Sequence, residues 1–169
     1  MWIVIDGPEK AGKTTTAQFI ADSLEGRGLT VKYRHWSGTD PVSADAYDEL
    51  MDDLDEYRVI IWDRSWASGQ VYTDLGLEQK PEAVKQGGEA VFSVFNPVKL
   101  MFIGPSAEAL AEKRTPDDVP VSASLERAAF IQYAVDHEGW AMWKSDYTNA
   151  WLKGVIDWVD RQLENESNG

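Results

Sequence analysis

Gly7-Pro8-Glu9-Lys10-Ala11-Gly12-Lys13-Thr14 leaves this chain few choices of fold. The pattern G-x-x-x-x-G-K-[ST] carries meaning only between a strand and a helix. Here it follows the apolar run Trp2 to Ile5 and leads into a helix-forming stretch, Lys13 to Leu24, closed by Gly26 and Gly28. The glycines let consecutive N–H groups turn inward, and the helix N-terminus adds unpaired amides with partial positive charge. Such a turn grips phosphate oxygens largely with main chain. Lys13 would reach the β- and γ-phosphates of a nucleotide, and the Thr14 hydroxyl would ligate Mg²⁺. A helix terminus alone contributes only ~0.3–2 kcal/mol toward an anion, so a triphosphate also needs the lysine and the metal. The candidate ATP-binding residues are therefore Gly7, Pro8, Glu9, Lys10, Ala11, Gly12, Lys13 and Thr14, with Thr15 next in the helix.

The rest of the chain alternates between two periodicities. Thr30 to Trp36, the fully apolar Val59 to Trp62, and Val98 to Ile103 read as further strands. Helical patterns fill Val42 to Leu54, Pro81 to Phe95, Ser106 to Arg114 and Ser122 to Glu138, the last stopped by Gly139. In the tail, Trp140, Trp143, Tyr147, Trp151 and Trp158 would share a face of one long helix. A break is the better reading: a last strand over Trp140 to Lys144, then a helix capped by Asn149 with Trp151, Leu152, Val155, Ile156, Trp158 and Val159 on its apolar face. These tryptophans read as core. Five strands alternating with helices predict an α/β fold, a parallel five-stranded sheet flanked by helices, of the P-loop NTPase type. The whole of 1–169 reads as a single domain. Thr115 to Val121 holds two prolines and breaks any helix; with its flanks, 113–122, it is either a closing lid or an ordinary surface loop.

Composition removes several classes of function. The chain has no cysteine and two histidines, which excludes disulfides, thiolate chemistry and a histidine-rich metal centre, and suits a cytoplasmic setting. No apolar run approaches the roughly 20 residues that span a bilayer, so no membrane partner is expected. A formal charge of −13 repels a polyanion at long range. Phosphate sites must then be local, drawn from Lys10, Lys13, Arg34, Arg64, Lys113, Arg114 and Arg127. Asp63 and Arg64 end the apolar strand Val59 to Trp62, the Walker-B arrangement that delivers a carboxylate beside the phosphate loop and its metal.

These motifs together resemble the thymidylate-kinase family, over most of the chain. Asp63-Arg64-Ser65-Trp66-Ala67-Ser68-Gly69-Gln70-Val71-Tyr72 is similar to the family's D-R motif and aromatic-rich turn, with Ser65 where a tyrosine is usual. Arg34-His35-Trp36-Ser37-Gly38-Thr39 echoes the family's R-E-P-G-G-T segment. The resemblance implies a nucleoside monophosphate kinase-like enzyme using ATP and Mg²⁺. It implies that Lys10, Lys13, Asp63 and Arg64 are catalytic, that Thr14 and Asp63 serve the metal, and that Arg114 packs against adenine. It further implies that Glu9 holds the acceptor sugar, Arg34 its phosphate, and that Arg64, Ser68 and Tyr72 complete the acceptor site.

The chain departs from the family in its acceptor segment, 37–58. Only about 23 residues separate Thr39 from Asp63, and Asp40 to Glu56 carries eight acids and no Lys or Arg, with Tyr47, Leu50, Met51 and Leu54 on one helical face. The arginine that reads thymine in larger relatives has no counterpart there. Short kinases of this kind occur in phages, where two acceptors are implied: a free deoxynucleoside monophosphate such as dTMP or dUMP, or 5-hydroxymethyluracil already in DNA, phosphorylated in the host cytoplasm. A noncatalytic nucleotide-dependent switch is the third reading, and a homodimer is compatible with all three.

Overall fold

A computed structural model describes residues 1–37, 42, 45–77 and 82–168, the last span without the side chains of 82–87. Its elements run β1 (Trp2–Asp6), α1 (Lys13–Glu25), β2 (Val31–His35), α2 (Ala46–Glu56), β3 (Val59–Asp63), α3 (Trp66–Asp74), α4 (Glu82–Phe95), β4 (Val98–Phe102), α5 (Ala107–Glu112), α6 (Ala123–Asp136), β5 (Trp140–Trp143) and α7 (Asn149–Asn168). The five strands form one sheet in the order β2-β3-β1-β4-β5, with every neighbouring pair parallel. The expected parallel sheet flanked by helices is what the chain forms.

Alternation along each strand sorts the core onto two faces. Ile3, Ile5, Val59, Ile61, Leu100 and Phe102 face one way and pack with Ile20 and Leu24 of α1 and Val155 and Val159 of α7. Trp2, Val4, Ile60 and Trp62 face the other way, with Leu50 of α2 and Trp66 of α3. Of the three inner strands, β1 and β3 are buried throughout, which explains their unbroken apolar runs. On the second face the indoles meet edge to face: Trp2 and Trp62 lie 4.9 Å apart and Trp36 and Trp62 5.2 Å apart, between ring centroids. Each such pair contributes about 0.5–1.5 kcal/mol beyond its buried area. Close packing of α4 on this cluster requires a glycine, since a Cβ at Gly88 would stand 2.4 Å from the Trp66 ring.

The tail breaks where the sequence predicts, with β5 pairing to β4 and α7 following. Its cap is one residue earlier than expected: the Thr148 hydroxyl accepts the Trp151 N–H at 3.2 Å, leaving Asn149 as the first helical residue. In α2, Leu50 is fully buried, but Tyr47 and Met51 are about 40% exposed, so the anticipated apolar face is only partly covered. The largest difference is α3. The stretch from Asp63-Arg64 to Tyr72 resembles a D-R motif with an aromatic-rich turn, and after Ser65 it instead forms a helix over Trp66–Asp74, for a reason that lies in the site. Pro81, and Gly38 and Thr39 of the acceptor segment, lie outside the described residues. No described helix is long and apolar enough to cross a membrane.

Candidate nucleotide site

In a parallel sheet all carboxyl ends open toward one side, and a ligand crevice forms where successive connections leave a strand in opposite directions. Here that strand is β1: α1 carries the chain outward to β2, and β4 lies on the other flank. A cavity of about 740 Å³ opens there. On the β2–β3 side it is lined by His35, Trp36, Arg64, Ser68 and Tyr72, and on the β5 side by Lys113, Tyr147, Trp151 and Leu152, with Glu9, Lys10 and the run from Gly12 to Thr16 between them.

The loop after β1 is built from backbone that only certain residues tolerate. Gly7 has φ 148°, and a Cβ on it would lie 2.0 Å from the Phe102 carbonyl oxygen, so β4 excludes any side chain there. Gly12 has φ 85°, and Lys10, a non-glycine, φ 64°. Lys13 is 6% exposed, and its Nζ donates to the Pro8 carbonyl at 2.6 Å. Burial, followed by the positive charge of Arg64, lowers its pKa to about 7. A polyphosphate arriving beside it would restore the proton and complete the charge balance.

Asp63, fully buried at the end of β3, draws three side chains to one of its oxygens. Its Oδ2 accepts from the Thr14 hydroxyl at 2.5 Å and the Tyr33 hydroxyl at 3.1 Å, and lies 2.8 Å from His35 Nδ1. Its Oδ1 has no hydrogen-bond partner although it is buried. An orphaned carboxylate oxygen beside a threonine hydroxyl is a donor set that fits Mg²⁺, whose remaining ligands come from water and phosphate.

Arg64, at φ 76°, is the centre of the β3 side. Its Nη2 donates to Glu9 Oε1 at 2.7 Å, and its Nη1 to the Tyr72 hydroxyl at 2.9 Å and the Ser68 hydroxyl at 3.4 Å. Four of the expected acceptor-site residues, Glu9, Arg64, Ser68 and Tyr72, are thereby one hydrogen-bonded group. Arg34, expected on the acceptor phosphate, and Arg114, expected against adenine, stand elsewhere. The Arg34 guanidinium lies over the Trp36 ring at 4.2 Å, and Arg114 donates to Glu126 and, at 2.5 Å, to the Val121 carbonyl; neither lines the cavity. Arg114 is drawn inward because Glu126 is a fully buried carboxylate that requires a cation. On the β5 side it is Lys113, 3.4 Å from the centroid of the Tyr147 ring, that faces the cavity.

Two buried acids hold this arrangement together, and sequence reasoning missed both. Asp6 ends β1 and accepts from the Ser65 and Ser68 amides at 3.0 and 3.1 Å and from both hydroxyls at 2.6 Å. Burial raises its pKa, and those hydrogen bonds pull it back. It anchors the first turn of α3, which supplies the missing reason for that helix. Glu126 of α6 accepts from the Glu9 amide at 3.2 Å and the Tyr72 hydroxyl at 2.7 Å as well as from Arg114, joining loop, α3 and α6. Asp6 had a signal, an acid closing an apolar strand just before the glycine turn; Glu126 looked like any helical surface acid. Between Arg114 and Val121, Asp118 reaches back to place its Oδ1 3.1 Å from Lys10 Nζ.

No protein-family model and no curated protein matches the sequence. Among solved structures the chain is similar to the YorR protein of Bacillus subtilis, determined in complex with phosphorylated GDP, at a TM-score of 0.69 and 14% identity over 100% of this chain and 99% of that one. The parallel sheet, the glycine-rich turn at its central strand and this likeness identify the architecture: the chain has a P-loop NTPase-like α/β fold.

Proposed function

We propose that the chain is an ATP-dependent phosphotransferase of the thymidylate-kinase kind, moving the γ-phosphoryl group to a pyrimidine deoxynucleoside monophosphate. The observation that supports it most is a single cavity with the phosphate loop at its centre and a different set of side chains on either side, room for a donor and an acceptor at once. The donor base would lie toward Lys113, Tyr147 and Trp151, its phosphates on residues 7–14, and the acceptor toward Arg64, Ser68, Tyr72 and Trp36. YorR with its phosphorylated GDP is in keeping with a nucleotide in this fold.

Transfer in such a site is mostly positioning and charge stabilisation. Lys13 holds the β- and γ-oxygens, Lys10 meets the transferring group, and Arg64, fixed by Glu9 and Tyr72, presents its charge to the acceptor side. Thr14 and Asp63 would hold Mg²⁺, which neutralises phosphate charge when bound. Lys10 must first leave Asp118, so donor binding and rearrangement of 115–121 are coupled.

A second reading, 5-hydroxymethyluracil in DNA as acceptor, is favoured by one contact. A hydroxyl acceptor needs a base, and His35, which lines that side of the cavity, lies 2.8 Å from the buried Asp63 carboxylate. The test incubates the protein with γ-labelled ATP and, separately, dTMP, dUMP, other deoxymonophosphates and hydroxymethyluracil DNA. Label in a diphosphate supports the first reading and label in DNA the second, in which case Asp63→Asn should hurt transfer to the hydroxyl more than transfer to a monophosphate. ATP that binds and never gives up its label would sink both in favour of a switch.

A further inference from the structure

We propose that Tyr147 is a positioning residue for Lys10, setting the direction of that lysine from a loop on the opposite end of the chain; the inference rests on Lys10 meeting the terminal phosphoryl group. The Tyr147 hydroxyl donates to the Lys10 carbonyl at 2.8 Å, across 137 positions. Lys10 needs such a partner because its φ of 64° is a left-handed conformation that disfavours every residue with a Cβ. Left to itself, the residue relaxes to negative φ, which swings its Cα–Cβ bond and redirects the whole side chain.

Tyr147 is itself held firmly enough to impose this geometry. Its φ of 61° is left-handed too, and its N–H donates at 3.0 Å to the hydroxyl of Ser145, a fully buried residue. The ring packs on Gly12, where an added Cβ would sit 3.5 Å from it, and carries Lys113 Nζ 3.4 Å from its centroid. Ring and hydroxyl therefore do separate things: the ring packs the loop and pairs with Lys113, while the hydroxyl selects the Lys10 backbone. The side chain so directed is the one held by Asp118 at 3.1 Å.

Tyr147→Phe removes the hydroxyl and keeps the ring, and calorimetry with ADP and with a non-hydrolysable ATP analogue, both at fixed Mg²⁺, reads the consequence without turnover. The wild-type protein should prefer the triphosphate. Tyr147→Phe should lose about three- to tenfold of that preference, the worth of one hydrogen bond. Lys10→Ala should lose the preference as well, and the double variant no more than Lys10→Ala alone. A Tyr147→Phe protein with wild-type preference, equal losses for both nucleotides, or an effect that adds in full to Lys10→Ala would overturn the proposal, as would a wild-type protein that binds both nucleotides alike. Normal discrimination without any phosphoryl transfer would sink the kinase reading and leave this one standing.

Discussion

Raising the pH from 7 to 9 should weaken nucleotide binding steeply, because Lys13 must carry a proton to meet a polyphosphate and the free protein holds that proton poorly. Its pKa is lowered from 10.5 to about 7, first by burial and then by Arg64. The negative charge of a bound polyphosphate offsets both causes and returns the lysine toward its ordinary range. Between the two values binding takes up a proton, so affinity falls as pH rises: by about fivefold from pH 7 to 8 and about ninefold from pH 8 to 9, levelling off below 7. Stability moves the opposite way over the same window, since there the unfolded chain holds a proton that the folded lysine has given up, and folding becomes more favourable as pH increases. Calorimetric titration with ADP at pH 8, in buffers of different ionisation enthalpy, should show uptake of about 0.9 proton per nucleotide, and none in Lys13→Met. Uptake below about 0.2 proton, with affinity flat from pH 7 to 9, would refute the reasoning.

Two further outcomes follow from the frame of the site. Glu126→Gln leaves Arg114 without its counter-charge inside the protein, and should cost about 3 kcal/mol, or about 6–12 °C in Tm by calorimetry; an unchanged Tm would show that the carboxylate holds nothing together. Gly7→Ala drives a Cβ to 2.0 Å from the Phe102 carbonyl and should destabilise by more than about 3 kcal/mol in urea unfolding, with a wild-type midpoint contradicting the steric account.

The elements that could be read from sequence are those whose signal is local. A glycine-lysine loop, apolar runs long enough to be buried on both faces, and the Gly139 stop each act within a few residues, so β1, α1, β3, β4 and the break before α7 were legible. Helix α3 was not, because Ser68, Gly69, Val71 and Thr73 are indifferent helix formers. Its first turn is fixed by Asp6, 59 to 62 positions away in sequence. The same distance hid the contacts made by Glu126 and Tyr147, whose partners the fold supplies and no pattern announces. Arg114 illustrates the reverse: its place in the sequence matched a base-contacting arginine, and an acid on the next helix claimed it first.

The array of indoles beneath the sheet reaches the cavity through Trp36, which lines it and lies 5.2 Å from Trp62. Trp62 in turn touches Trp2 and Trp66. Rings this close share absorbed light, so a guest settling beside Trp36 alters the emission of residues that never meet it. Tryptophan emission should therefore report occupancy of the cavity, so that titrations can be followed without attaching a dye.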